Sequence, residues 1–417
     1  MGLDSATLPE GSRSDADRRR ARTPGPVAVI VLLCLGWVFM YADRTVLSPI
    51  TGVIGKEWGL NKATLGLVST VFFIAYAAMQ IPSGVLADRI GRVRTLAIGY
   101  LAFAIGTALS GFAPGFAVFL LVRAFTGLGE GSYYGPAYGI SSAMISPKYR
   151  GLSSAVINSG MALGISLGFI GSGFFAFDLG WGWRSTFFVF GAATVIVTVL
   201  IQYYLGPVDR QMRAVAREAP RVSVRALLTR NHLLTYVLIF CSLYGFFNML
   251  TWLPLYLQEE RGVAASQTGI IASLVPWASI PGAVLFGLWS DRLKSKKALI
   301  IVLSLLGAVC QLVIPWTGSY SLVITGLVIY GLVGKQALDP VLIAFVADNT
   351  PSVMYARAFS LFNFCGVLSS IFAPYITGAL ADLTGKLEVG FYISAALLVL
   401  GAVVFAFVKP VPAKAAT

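Results

Sequence analysis

Apolar runs of about 20 residues recur along this chain, a length that matches a hydrocarbon layer roughly 30 Å thick. Inside lipid every backbone N–H and C=O must find a partner within the protein, so such runs fold as helices. Twelve are read, over 27–53, 64–87, 93–113, 116–145, 151–177, 183–205, 232–257, 266–290, 298–317, 320–347, 355–383 and 388–408. With 57% hydrophobic and only 12% charged residues the chain lies far outside the soluble range. The expected class is an all-α membrane protein with the lipid bilayer as its solvent.

Charges inside the runs are the next constraint. Asp43 and Arg44 in span 1, Arg123 and Glu130 in span 4, and Lys335 and Asp339 in span 10 stand among apolar residues. A charge at bilayer depth costs at least about 3 kcal/mol on insertion scales, so these residues should face a water-filled path for a charged solute. Arg123, Gly127, Glu130 and Tyr134 recur at i, i+4, i+7 and i+11 and share one helix face, with Arg123 and Glu130 about 10 Å apart along the axis. Trp37, Tyr41, Arg44 and Ser48 form a second stripe. Arg stays protonated and offers a planar fork to a carboxylate, which suits Arg44 to receive an anion. A carboxylate that alternately gains and loses an Arg partner can take up and release a proton, a role open to Glu130 opposite Arg123. The competing reading is a set of static ion pairs, although buried pairs stabilise poorly compared with apolar packing.

Orientation follows from 31 Lys and Arg. With the N-terminus in the cytoplasm, 23 fall on cytoplasmic segments, 5 on external ones and 3 within spans. Both termini are then expected inside, in the inner (plasma) membrane. This bias accounts for the net charge of +13, and no nucleic-acid partner is called for. The polar first 25 residues and the long span 1 argue against a cleaved signal peptide. Cys34, Cys241, Cys310 and Cys365 are scattered in separate spans, so neither a disulfide nor a metal is expected. No cofactor is implied: a phosphate-binding Gly-x4-Gly-Lys-Ser/Thr loop is missing, as is any nucleophile, base and metal grouping of an enzyme.

The chain also repeats itself. Gly84-x3-Asp88-Arg89-Ile90-Gly91-Arg92 follows span 2, and Gly287-x3-Asp291-Arg292 follows span 8, the two Asp-Arg steps lying 203 residues apart. Two parallel six-helix halves place a site between them near the membrane midplane. The expected division is a basic cytoplasmic tail at 1–26, a first bundle at 27–205, an Arg-rich linker at 206–231, a second bundle at 232–408 and a tail at 409–417.

The first of these loops resembles the signature of the major facilitator superfamily. Tyr41-Ala-Asp43-Arg44, Arg123-x3-Gly127-x-Gly129-Glu130-Gly131, Thr251-Trp252-Leu253-Pro254-x-Tyr256-Leu257, Asn158-Ser-Gly160-x3-Gly164 and Gly182-Trp183-Arg184 are similar to its anion:cation symporter family, with galactonate-type proton symporters nearest in spans 1 and 4. The resemblance implies a major facilitator fold of twelve transmembrane helices that imports a small organic anion, such as a sugar acid or aromatic acid, with protons by alternating access. It implies that Arg44 holds the substrate carboxylate, that Asp43 and Glu130 bind protons, that Arg123 is the switching partner of Glu130, and that Tyr41 and Tyr76 line the site. Tyr134, Asn158, Trp252 and Asn363 are further candidate contacts, and Asn248 and Gln336 are lone polar residues of the central spans. Gly84, Asp88, Arg89, Gly91, Arg92, Arg150, Asp291 and Arg292 would gate the cytoplasmic side, with Lys148 beside them.

Lys335 and Asp339 fall outside that pattern. They read as a second anion contact or as a locally neutralised pair, with Pro340 expected to break the helix after them. Gly160, Gly164 and Gly168 predict a close helix-packing surface. His232 is expected at the membrane interface. A monomer is expected. The rival readings are a spinster-like lipid or lysolipid carrier of the same superfamily and a non-transporting sensor on a transporter fold.

Overall fold

The computed structural model describes residues 25–145, 150–208, 227–293, 295–350 and 355–409. The terminal tails, Lys148 and most of the linker lie outside them. The side chains of Asp88, Arg150, Asn158 and Asp291 are likewise outside the described part.

Every element among the described residues is helical. In order they are α1 (Pro26–Val46), α2 (Thr51–Trp58), α3 (Lys62–Ile90), α4 (Arg92–Phe112), α5 (Phe116–Gly131), α6 (Tyr134–Met144), α7 (Arg150–Gly173), α8 (Trp183–Leu205), α9 (Arg230–Glu259), α10 (Ala265–Arg292), α11 (Lys297–Trp316), α12 (Tyr320–Val333), α13 (Lys335–Asp348), α14 (Tyr355–Thr384) and α15 (Glu388–Ala406). A 3-10 turn at Ser48–Ile50 joins α1 to α2, and a π turn at Phe174–Asp178 follows α7. Local chemistry sets several ends. The Asn61 side chain accepts from the Thr64 amide to cap α3, and Thr229 does the same for His232 at α9. Gly59, with φ 63°, closes α2 in the left-handed conformation.

Among the described residues, eleven stretches are long and apolar enough to cross a membrane. The remaining run, 116–145, is divided: α5 has 16 residues and α6 has 11. At the step, Ser132 and Tyr133 donate three residues back, to Gly129 and Glu130, which tightens the turn. Span 10 is divided as well, but not where Pro340 predicts. The break is at Gly334, whose extended backbone (φ −77°, ψ −154°) ends α12 and opens α13, while Pro340 sits inside α13. Gly is required there because a Cβ would overlap the Tyr330 carbonyl. Pro340 crowds only the carbonyl of Gln336, in the first turn of α13, where a helix has room to adjust.

The helices α1–α8 pack on one another, as do α9–α15. Within the first group, α1 lies on α7 through Gly160, Gly164 and Gly168, where any Cβ would collide with Cys34, Val38, Ala42 or Thr45. The groups meet along α3 with α14 and α7 with α10. The bonds joining them cluster at one end. The Lys62 and Ala63 amides donate to Asp382 (2.9 and 2.8 Å), Lys62 Nζ pairs with Glu259 (3.0 Å), and Gln258 donates to the Pro49 carbonyl (2.9 Å). Deeper in, Thr70 donates to the Ile371 carbonyl (2.7 Å), and the Phe73 and Phe247 rings meet edge to face at 4.8 Å. At the opposite end of α3, a Cβ on Gly84 would meet nothing within 4 Å. Among the described residues, these bonds seal the interface where α3 begins.

Candidate functional site

Two ion pairs lie side by side at the heart of the first half, and they cross. Residues adjacent on a helix point about 100° apart, so Asp43 and Arg44 face different neighbours. Arg123 Nη1 of α5 reaches both Asp43 oxygens (3.1 and 2.8 Å), and Thr107 of α4 donates to Oδ1 (2.8 Å). Arg44 Nε bonds Glu130 Oε2 at 2.7 Å. The side chains of Asp43, Arg44, Arg123 and Glu130 are 1%, 4%, 3% and 0% exposed, so water screens neither pair. Arg123 and Glu130 share a face of α5 but do not bond each other; each finds its partner on α1.

The two pairs are not equally complete. Asp43 accepts three hydrogen bonds from two donor groups, whereas Glu130 Oε1 and Arg44 Nη2 have no partner, and neither does Arg123 Nε. An orphaned buried polar atom costs roughly 1–3 kcal/mol, so Arg44 and Glu130 are poised to accept another group. Four aromatic rings surround the Arg44 guanidinium: Tyr76 at 4.6 Å, Tyr41 at 4.8 Å, Phe73 at 5.4 Å and Phe72 at 6.0 Å. These exclude water and leave the cation attractive to an anion entering in the ring plane. Tyr41 stacks on Trp37 (5.3 Å), against which Tyr134 stands edge-on (6.0 Å).

In the second half, Lys335 Nζ pairs with Asp339 Oδ2 at 2.5 Å, one turn along α13. Asp339 is 22% exposed, and the Lys335 ammonium lies 4.9 Å from the Phe246 ring, whose neighbour Phe247 meets Phe73 of the first half. The pair thus stands across the interface from the Arg44 cluster. A small pocket nearby is bounded by Phe246, Leu250, Phe169, Tyr330 and Gln336.

Other candidates stand elsewhere. Trp252 is fully buried within the second half, its indole N–H given to the Pro374 carbonyl (3.1 Å). Asn363 is partly buried on α14, and Asn248 is fully buried with neither amide atom partnered. Gly91, with φ 107°, forms the corner between α3 and α4; Arg92 donates to the Gly139 carbonyl (2.7 Å), while Arg89 and Arg292 are exposed in the last turns of their helices. His232 is buried in the protein at the start of α9. Its ring nitrogens lie 2.7 Å from Thr229 Oγ1 and 3.0 Å from Thr350 Oγ1, so it ties α9 to the end of α13.

Thr107, Phe72 and Phe73 belong to the cluster and were not singled out from the sequence. Signals existed: Tyr100, Phe103 and Thr107 form an i, i+3, i+7 stripe, and Phe72 and Phe73 lie one turn before Tyr76.

The chain belongs to the Major Facilitator Superfamily, whose family model matches residues 33–270 and 235–417. Its family and matched relatives are transporters rather than enzymes. One relative is a probable sulfoacetate transporter of Cupriavidus necator, 27% identical, with 92% of this chain and 93% of that protein covered. Another is a probable galactarate/D-glucarate transporter of Bacillus subtilis, also 27% identical, with 86% of each covered. Among solved structures, a bacterial homologue of the human lysosomal transporter Spinster, in an inward-facing and occupied conformation, superposes with a TM-score of 0.76 at 18% identity, covering 91% of this chain and 96% of that one. That last likeness speaks for the fold alone.

Proposed function

We propose that this protein imports a small organic anion together with protons by alternating access, with Arg44 as the anion receptor. The observation that carries this reading is the unfinished Arg44–Glu130 pair: one guanidinium nitrogen and one carboxylate oxygen lack partners in a ring-lined, water-poor place. An incoming carboxylate or sulfonate takes Arg44 from Glu130, and Glu130, left without its cation among apolar groups, takes a proton. Tyr41, Tyr76 and Tyr134 line the anion's seat. Asp43, bonded three times, holds Arg123 in place and is the weaker candidate for a proton site. The relatives named for sulfoacetate and for galactarate or glucarate support an acidic solute.

The orientation that puts most Lys and Arg in the cytoplasm makes the sealed end external and both termini internal, in the inner membrane. The loop of Asp88, Arg89, Gly91 and Arg92 and its counterpart at Asp291 and Arg292 are then cytoplasmic, where they would latch the halves in the outward-facing state. One copy carries both halves that flank the anion's seat, so the working unit is a monomer.

The test is uptake of sugar acids, sulfonates and aromatic acids into proteoliposomes under an inward proton gradient. Accumulation that collapses with a protonophore, with Arg44→Ala and with Glu130→Gln is the expected result. Uptake indifferent to Arg44→Ala would overturn the reading and favour a lipid carrier of the same fold.

A further inference from the structure

The mechanism proposed above uses one charged pair of the first half and leaves Lys335 and Asp339 idle. Their setting is unlike that of a stray surface pair. Gly334 opens α13 without any side-chain cap, so no side chain neutralises the positive end of that helix. Lys335, the first residue of α13, is 9% exposed, and its ammonium lies 4.9 Å from the centre of the Phe246 ring. Gln336, the second residue, is 8% exposed, borders a small pocket together with Phe246 and with Phe169 of the first half, and has neither amide nitrogen nor amide oxygen partnered. Asp339 Oδ1 is without a partner too. The Lys335 ammonium lies over the Phe246 ring, so it and the Gln336 side chain flank the same pocket.

Such a set of donors has the chemistry of a receptor for an acidic group: an ammonium, an amide N–H₂ and the positive end of a helix. Its present occupant is the Asp339 carboxylate, which uses one oxygen only. From the Lys335 ammonium a chain of rings, Phe246 to Phe247 (5.5 Å) and Phe247 to Phe73 (4.8 Å), crosses the interface to the Arg44 guanidinium, 5.4 Å from the centre of Phe73. Two cationic receptors, each provisionally occupied by a carboxylate of its own helix bundle, therefore face one interface from opposite halves.

We propose that the transported solute is a dianion that bridges the halves, one acidic group received by Arg44 and the second by Lys335 and Gln336 at the start of α13. This rests on the organic-anion reading and narrows it. A solute with a single acid occupies Arg44 and leaves Lys335 with Asp339, so it gains nothing from the second half. A dianion takes Asp339's place on the ammonium and ties the two bundles to one ligand.

The experiment compares purified wild-type, Lys335→Gln, Lys335→Arg and Asp339→Asn proteins in proteoliposomes and by thermal shift. The probes are solutes of matched skeleton with two acids or one: galactarate against galactonate, sulfoacetate against acetate, and adipate against 6-hydroxyhexanoate. At least one dianion should compete about tenfold better than its single-acid partner in the wild type. That preference should vanish in Lys335→Gln, return in Lys335→Arg, and persist or grow in Asp339→Asn, which frees the ammonium. A structural ion pair would instead lower stability in Lys335→Gln and Asp339→Asn alike and leave selectivity untouched. Equal competition by single acids, or a preference that survives Lys335→Gln, overturns the proposal while the role of Arg44 stands. Failure of every acid to bind or be taken up overturns the organic-anion reading itself.

Discussion

Asp43 and Arg44 are neighbours in sequence, both are buried, and both carry a charge, yet one is finished and the other is not. The Asp43 carboxylate receives three hydrogen bonds from Arg123 and Thr107. Arg44 gives one to Glu130 and retains an idle nitrogen. A carboxylate satisfied in this way gains nothing by opening, because any new partner must match three bonds already made. An unsaturated pair is held in place by its surroundings and gains from a ligand that completes it. The contrast separates a brace from a receptor at a single peptide bond.

The widest gap should appear in stability. Arg123→Gln strands Asp43 in a dry environment and should lower stability by about 3–5 kcal/mol, read as a depressed midpoint of thermal unfolding in detergent. Arg44→Gln should cost less while abolishing uptake. Equal losses of stability would erase the distinction between brace and receptor. Gly164→Val drives a side chain into the Val38 carbonyl, separating α1 from α7, and should cost about 1–3 kcal/mol or more. Thr107→Val removes one of the three hydrogen bonds to Asp43 and should cost about 1–3 kcal/mol, with uptake largely kept; a loss of uptake matching that of Arg44→Gln would make Asp43 part of the transport step. The smallest effect belongs to the sealed end. Asp382→Ala deletes two exposed bonds to the start of α3, and at no more than about 1 kcal/mol it should raise labelling of a cysteine introduced at Ala63 by an impermeant thiol reagent only a few-fold.

Much of this was legible in the chain itself. Apolar length marks the spans because lipid leaves the backbone no alternative to a helix. The breaks in spans 4 and 10 were not legible. Gly334 is dictated by how closely its helix end approaches Tyr330, and Pro340, the more conspicuous residue, continues the helix. The charged residues could be picked out one by one, since ionisable groups in apolar runs are rare, but their pairing could not. Seven residues separate Arg123 from Glu130, about 10 Å along the axis, so partners had to come from another helix, and which one is decided by rotation about α1. Nor was the partner of Trp252 legible: an aromatic residue in a motif reads as a contact for solute, and only the structure shows its indole N–H given to Pro374.

The three glycines of α7 have a mechanical consequence. Gly160, Gly164 and Gly168 let its backbone touch that of α1 over two turns, so the pair behaves as a single girder with Arg44 mounted near one tip. Because α7 also bears against α10 of the opposite half, swinging the halves must carry the arginine along rather than leave it behind. A spectroscopic label on the lipid-facing side of α7, at Leu163 or Leu167, would then track the travel of the anion's seat without touching it.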